Sequence, residues 1–77
     1  MITTSETTGR TYIDEDCYFF KNPLQSSFYM ANGAVLQDIF VSGDMKFVYV
    51  YTKADHQRLK MKWRNANIGR DKENNDG

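Results

Sequence analysis

With 77 residues, ten Lys and Arg against ten Asp and Glu, and a net charge of zero, the chain has material for one small domain. Its single cysteine, Cys17, rules out an intrachain disulfide and fits a reducing cytoplasm, and one cysteine with one histidine cannot complete a structural zinc site. The opening stretch lacks the basic and apolar regions of a signal peptide, and no apolar run reaches a membrane span, so no membrane partner is expected.

Residues 1–15 are rich in Thr, Ser and acidic side chains and read as a disordered acidic tail. Residues 1–17 carry four carboxylates against Arg10, a net −3. Cys17-Tyr18-Phe19-Phe20 is an aromatic run suited to a first strand. At Asn22-Pro23 a helix starts, with Asn22 as cap and Pro23 at its first position. Leu24, Phe28 and Ala31 then share a helical face, and Asn32-Gly33 stops the helix.

Residues 34–52 predict a β-hairpin, two arms rich in Val, Ile, Phe and Tyr around Ser42-Gly43-Asp44. A two-residue loop at Gly43-Asp44 would pair Phe40 with Phe47, Asp38 with Tyr49 and Leu36 with Tyr51 on an aromatic face. Val41, Ile39, Val48 and Val50 would lie on an aliphatic one. Neither face is polar enough for plain contact with solvent. Thr52 and Asp55 then cap a second helix over 53 to about 67, with His56, Leu59, Trp63 and Ala66 on one face and Gly69 as its end. Residues 69–77 read as a charged tail. The domain over 16–68 is thus α+β, in the order β-α-β-β-α. Its expected form is a three-stranded antiparallel sheet of order 2-3-1 with two helices on one face, a ferredoxin-like plait lacking its last strand.

Two sets of residues are candidates for contact. Phe40, Phe47, Tyr49 and Tyr51 form either the core or an open aromatic surface. Lys53, Arg58, Lys60, Lys62 and Arg64 against Asp55 make residues 53–64 a +4 block, either a solvated helix face or a grip for phosphate or an acidic protein. His56 has no nucleophile near it in sequence, Cys17 has no paired base, and no phosphate-binding glycine loop is present. No catalytic residue, metal, cofactor or small-molecule substrate is therefore expected.

Two resemblances cover roughly residues 17–64. The run Tyr18-Phe19-Phe20, the helix ending near Asn32-Gly33 and Phe47-Val48-Tyr49-Val50-Tyr51 before a helix resemble a short bacterial and phage domain family of unknown function. That likeness implies a mobile-element setting, where such modules block host machinery such as defence nucleases. Cys17 to Phe20 and Lys46 to Tyr51 also stand where the RNA recognition motif has its first- and third-strand motifs, although the third-strand glycines are absent. This second likeness implies base stacking on Phe47 or Tyr49. The expected function is a non-enzymatic interaction module that binds a protein partner or itself as a homodimer. Its alternative is a single-stranded RNA or DNA binder.

Overall fold

The computed structural model describes residues 1–76, with side chains through Ala66. In chain order come β1 (Ile2–Thr4), β2 (Thr11–Ile13), a 3-10 turn (Asp14–Asp16), β3 (Cys17–Phe20), α1 (Pro23–Ala31), β4 (Asp38–Val41), β5 (Phe47–Thr52) and α2 (Lys53–Asp76). The fold is α+β, but it holds two antiparallel sheets where the sequence predicts one. One has the order β3-β5-β4, which is the expected 2-3-1 arrangement, and the other pairs β1 with β2.

The ends of α1 follow from local chemistry. Asn22 Oδ1 accepts from the Leu24 backbone N–H at 3.0 Å, satisfying one of the donors a helix start leaves bare. At the other end Gly33 takes φ +89°, and Ala34 N–H donates to Tyr29 O at 3.0 Å while Gly33 N–H donates to Met30 O. Those two bonds are a Schellman cap, as Asn32-Gly33 predicts. The buried face of α1 is another matter. Leu24 is 59% exposed, and Ser26 and Tyr29 go inside. Tyr29 wins because its ring fills volume while its hydroxyl finds partners, so burial leaves nothing unsatisfied. α2 begins as predicted, with Asp55 N–H donating to Thr52 Oγ1, and Leu59 and Trp63 are buried on one face. It continues past Gly69, the expected stop, through Asp76, and Gly77 of the expected tail lies outside the described residues.

The hairpin register is one residue from the predicted one. Asp38 pairs with Val50, Ile39 with Tyr49, Phe40 with Val48 and Val41 with Phe47. The loop has three residues, Gly43-Asp44-Met45: Met45 N–H donates to Ser42 O, Ser42 N–H donates to Lys46 O, and Met45 takes φ +65°. This is a type I turn followed by a left-handed residue, the usual three-residue hairpin loop. Because side chains alternate between faces, moving one arm by a single residue exchanges its faces. Phe40 and Asp38 therefore join Val48 and Val50, and Ile39 and Val41 join Phe47 and Tyr49.

Each face of the larger sheet has its own cluster. Under the helices lie Tyr29, Ala34, Tyr51, Leu59 and Trp63, with Phe20, Phe28, Leu36 and Tyr49 packed against them. On the opposite face lie Tyr12, Cys17 and Val50. Tyr12 comes from β2, so residues 2–13, expected as a disordered tail, form a hairpin that covers part of the second face. Composition misleads here because Ser5, Thr7 and Thr8 spend their hydroxyls as hydrogen-bond donors to residues 37–39. Ser5 Oγ accepts from the N–H groups of Thr7 and Thr8, and Gly9 at φ +76° closes the loop with its N–H on Ser5 O.

Candidate functional site

The hairpin β1-β2 is fastened to β4 by side-chain bonds. Asp38 is buried, and its carboxylate accepts from Ser5 Oγ at 2.6 Å, Tyr12 Oη at 2.7 Å and the Ile39 backbone N–H at 2.7 Å. Burial and the Asp38 carboxylate hold the Tyr12 phenol well above its ordinary range, so it donates its proton at every physiological pH. Thr7 Oγ1 donates to Ile39 O at 3.1 Å and Thr8 Oγ1 to Gln37 O at 2.6 Å. Two carbonyls of the outer β4 edge are thereby occupied, so a further strand cannot add there without displacing these hydroxyls. Gln37 N–H also reaches Val50 O at 2.8 Å, so Gln37 and Asp38 both address Val50, as in a bulge, which raises the local twist beside the junction.

The fastened hairpin does not close over the sheet. Between them runs an open groove of about 780 Å³, whose apolar lining includes Phe19, Ile39, Phe40, Val41 and Phe47. Phe19 is 40%, Phe40 41%, Val41 53% and Phe47 55% exposed. Phe19 sits edge-on between Tyr12 and Phe40, with ring centroids 6.4 Å from each. Phe19 and Phe40 share the face toward the hairpin, while Val41 and Phe47 border the groove at the strand ends from the other face. Exposed aromatic surface of this kind is a mark of interaction sites on small proteins. Among the described residues the charged groups lining the groove are Glu6, Asp14 and Asp38, with no cation.

A second concavity, of about 310 Å³, lies on the helix side, lined by Tyr18, Gln25, His56, Lys60, Trp63 and Arg64. Tyr18 and His56 are stacked, centroids 3.7 Å apart and planes 11° from parallel. The Gln25 amide donates to Tyr29 Oη at 3.0 Å, and Tyr29 Oη lies 2.9 Å from His56 Nδ1. With Gln25 donating to the phenol oxygen, the arrangement in which the phenol O–H donates to an unprotonated Nδ1 satisfies all three groups, and a neutral ring then carries its proton on Nε2. Burial, then the nearby Lys60, lowers the His56 pKa and so favours that neutral form.

The candidate contact residues fall into separate groups. Phe40 and Phe47 line the groove. Tyr51 does not belong with them: it is fully buried, its hydroxyl donating to Ser26 O at 3.0 Å beside Ser26 Oγ, so it is core, and Tyr49 packs half-buried beside it. Base stacking on the third strand, as the RNA recognition motif would have it, is closed to Tyr51 because both helices pack on its face of the sheet. The basic block also divides. Arg58 donates to Asn32 O at 3.2 Å and to Asp55, and Lys62 donates to Asn32 Oδ1 at 2.8 Å, so both are spent on the C-terminal end of α1. Lys53 is exposed at the first turn of α2, while Lys60 and Arg64 line the second concavity. Phe19 was missed by sequence reasoning as a contact residue; only the pairing of β3 with β5, which sets it opposite Val50, puts it on the groove side.

Cys17 is buried, and burial with Asp16 and Asp14 raises its thiol pKa, the opposite of what a nucleophile needs. Among the described residues no cluster of His, Cys, Asp and Glu could hold a metal ion, and no helix is long and apolar enough to cross a membrane. Comparison with protein-family models, curated proteins and solved structures finds no match for this chain.

Proposed function

We propose that the chain is a non-enzymatic interaction module that uses the groove between its two sheets to bind a protein partner, through a segment of that partner bearing both apolar and basic side chains. The observation that carries the reading is the exposure of Phe19 and Phe40, in ring contact on one face of the sheet, with Val41 and Phe47 exposed at the adjoining strand ends, beside carboxylates and, among the described residues, no cation. Aromatic side chains in an open pocket supply the anchors of most tight interfaces. Glu6 and Asp14 at the lining would favour Lys or Arg on the incoming segment and repel an acidic one. The threonine bonds to the β4 carbonyls argue for recognition by side chains over strand addition. The larger sheet with its helices is read as the ferredoxin-like plait lacking a strand, and the β1-β2 hairpin as the addition that makes the groove. In the bacterial, phage or mobile-element setting that the resemblance implies, a module of this kind could act on host machinery, and filling the groove is how the chain would bind and block it.

The test is a titration of isotope-labelled protein with two ten-residue peptides, one alternating Leu and Phe with Lys, the other with Glu. The basic peptide is expected to shift the amides of Phe19, Phe40, Val41 and Phe47, and Phe40→Ser to weaken it by at least about tenfold, the scale of one aromatic anchor. Equal binding of the acidic peptide, or shifts mapping to another face, would remove the reading. A concentration-dependent dimer with the same amides protected would transfer the groove to a second copy of the chain.

A further inference from the structure

We propose that the concavity lined by Tyr18, Gln25, His56, Lys60, Trp63 and Arg64 is a nucleotide site, taking an aromatic base against its ring wall and a phosphate on Lys60 and Arg64. It lies on the helix side, apart from the groove, and does not depend on the partner reading.

Three observations converge on it. Lys60 and Arg64 stand four residues apart on α2, where like charges are neighbours and mutually repel. Neither forms an ion pair among the described residues, whereas Arg58 and Lys62 on the same helix are engaged with Asn32. Among the described residues no carboxylate lines the concavity, and its charged groups are both cations. Two adjacent cations without a counter-charge among the described residues suit an anion, and phosphate offers oxygens enough for both.

The second observation is the ring wall. Tyr18 is 36% exposed and already stacked on His56. A planar ring added to such a stack gains contact at little conformational cost, because both rings are held: Tyr18 by its place in β3 opposite Tyr51, His56 by the Tyr29 hydroxyl. Trp63, nearly buried, closes another side.

Third is the hydrogen-bond sense of the lining. The bond chain from Gln25 through Tyr29 to His56 Nδ1 leaves Nε2–H as the remaining donor of the imidazole, and that nitrogen has no partner among the described residues. With Lys60 and Arg64 it makes the lining rich in donors, which suits phosphate and ribose oxygens. The volume, about 310 Å³, is at the lower end for small-ligand sites, on the order of 300–1,000 Å³, and fits one nucleotide unit.

The shared chemistry of a free nucleotide and of one unit in a single strand is the same, so the experiment separates them. Trp63 fluorescence and amide shifts are followed while the protein is titrated with inorganic phosphate, adenosine, adenosine monophosphate and a ten-nucleotide single-stranded DNA. The monophosphate is expected to bind at least tenfold more tightly than phosphate or adenosine, with shifts at Tyr18, His56, Lys60 and Arg64. Lys60→Ala, half-buried, and Arg64→Ala, exposed, are expected to leave the circular dichroism unchanged and should each weaken it at least fivefold. Tyr18→Leu should weaken the monophosphate and leave phosphate unaffected, and Phe40→Ser should change nothing. Tighter binding of the oligonucleotide per site, with a salt-dependent slope, would assign the nucleotide to a strand, and equal binding would assign it to the free form. Phosphate binding as tightly as the monophosphate, no saturable binding of any probe, or unchanged affinity in the K60A/R64A double variant would overturn the proposal.

Discussion

The two faces of the β3-β5-β4 sheet are covered by different physical means. On the helix side, bulk does the sealing. Tyr29, Tyr51 and Leu59 are almost wholly removed from water, and each buried phenol finds a partner, Ser26 for Tyr51 and Gln25 with His56 for Tyr29. On the other side the lid is a short hairpin pinned by a few directional bonds from Ser5, Thr7, Thr8 and Tyr12. Apolar burial scales with area and favours closure. A handful of hydrogen bonds contributes about 1 kcal/mol each and fixes position without requiring closure. The hairpin therefore holds its place while leaving Phe19 and Phe40 open, and the groove exists because the second lid is polar.

Truncation separates the two modes most sharply. Tyr51→Ala is expected to remove about 3–5 kcal/mol, as for other large buried aromatics, which is comparable with the whole stability of a domain this small. That variant should be unfolded or nearly so by urea titration. Phe40→Ala, on a ring 41% exposed, should cost about 1–2 kcal/mol, in proportion to the area it buries. Similar costs for the two would mean that the groove is closed in solution, and the contrast between the faces would fail.

Next in size is the pin itself. Asp38→Ala strips the acceptor from Ser5 Oγ, Tyr12 Oη and the Ile39 amide together, at about 2 kcal/mol for buried donors left without partners. The loss should be local. Hydrogen exchange is expected to quicken at Thr3, Thr4 and Tyr12 while Val48 and Val50 keep their protection, since local opening follows the weakest set of contacts. Uniform loss of protection would show that the hairpin and the sheet unfold as one unit.

What sequence could reveal followed from the range of the interactions. The caps of α1 at Asn22-Pro23 and Asn32-Gly33, the Leu59–Trp63 face of α2 and the order of the three strands rest on neighbours within a few residues, or on the shortest connection between elements. The β1-β2 hairpin rests on bonds from Ser5 to Asp38 and from Thr8 to Gln37, about thirty residues apart, and nothing in a Thr-rich stretch marks its hydroxyls as aimed inward. The same holds for the groove, whose walls come from all five strands, the β1-β2 loop and the 3-10 turn. Tyr51 was legible as a strand aromatic but not as core, because which face of the sheet the helices cover is set by long-range packing; Phe40 was misplaced because its face depends on a register that a single loop residue decides.

That residue is Met45, and it yields the smallest predicted effect. Its φ of +65° lies in the left-handed region, which costs a side-chain-bearing residue about 1–2 kcal/mol. Being 85% exposed, its side chain recovers almost none of that through burial. Glycine adopts this conformation freely, at an offsetting entropic cost of about 0.5–1 kcal/mol in the unfolded chain. Met45→Gly should therefore stabilise the protein by up to about 1 kcal/mol in urea titration, with cross-strand contacts between Phe40 and Val48 retained. The gain would arise because the three-residue loop, with its left-handed third residue, is the one that fixes the register sending Phe40 to the groove. A destabilised variant, or one whose contacts move to Phe40 and Phe47, would instead place the two-residue loop in the native state and return Phe40 to the face of Tyr49 and Tyr51.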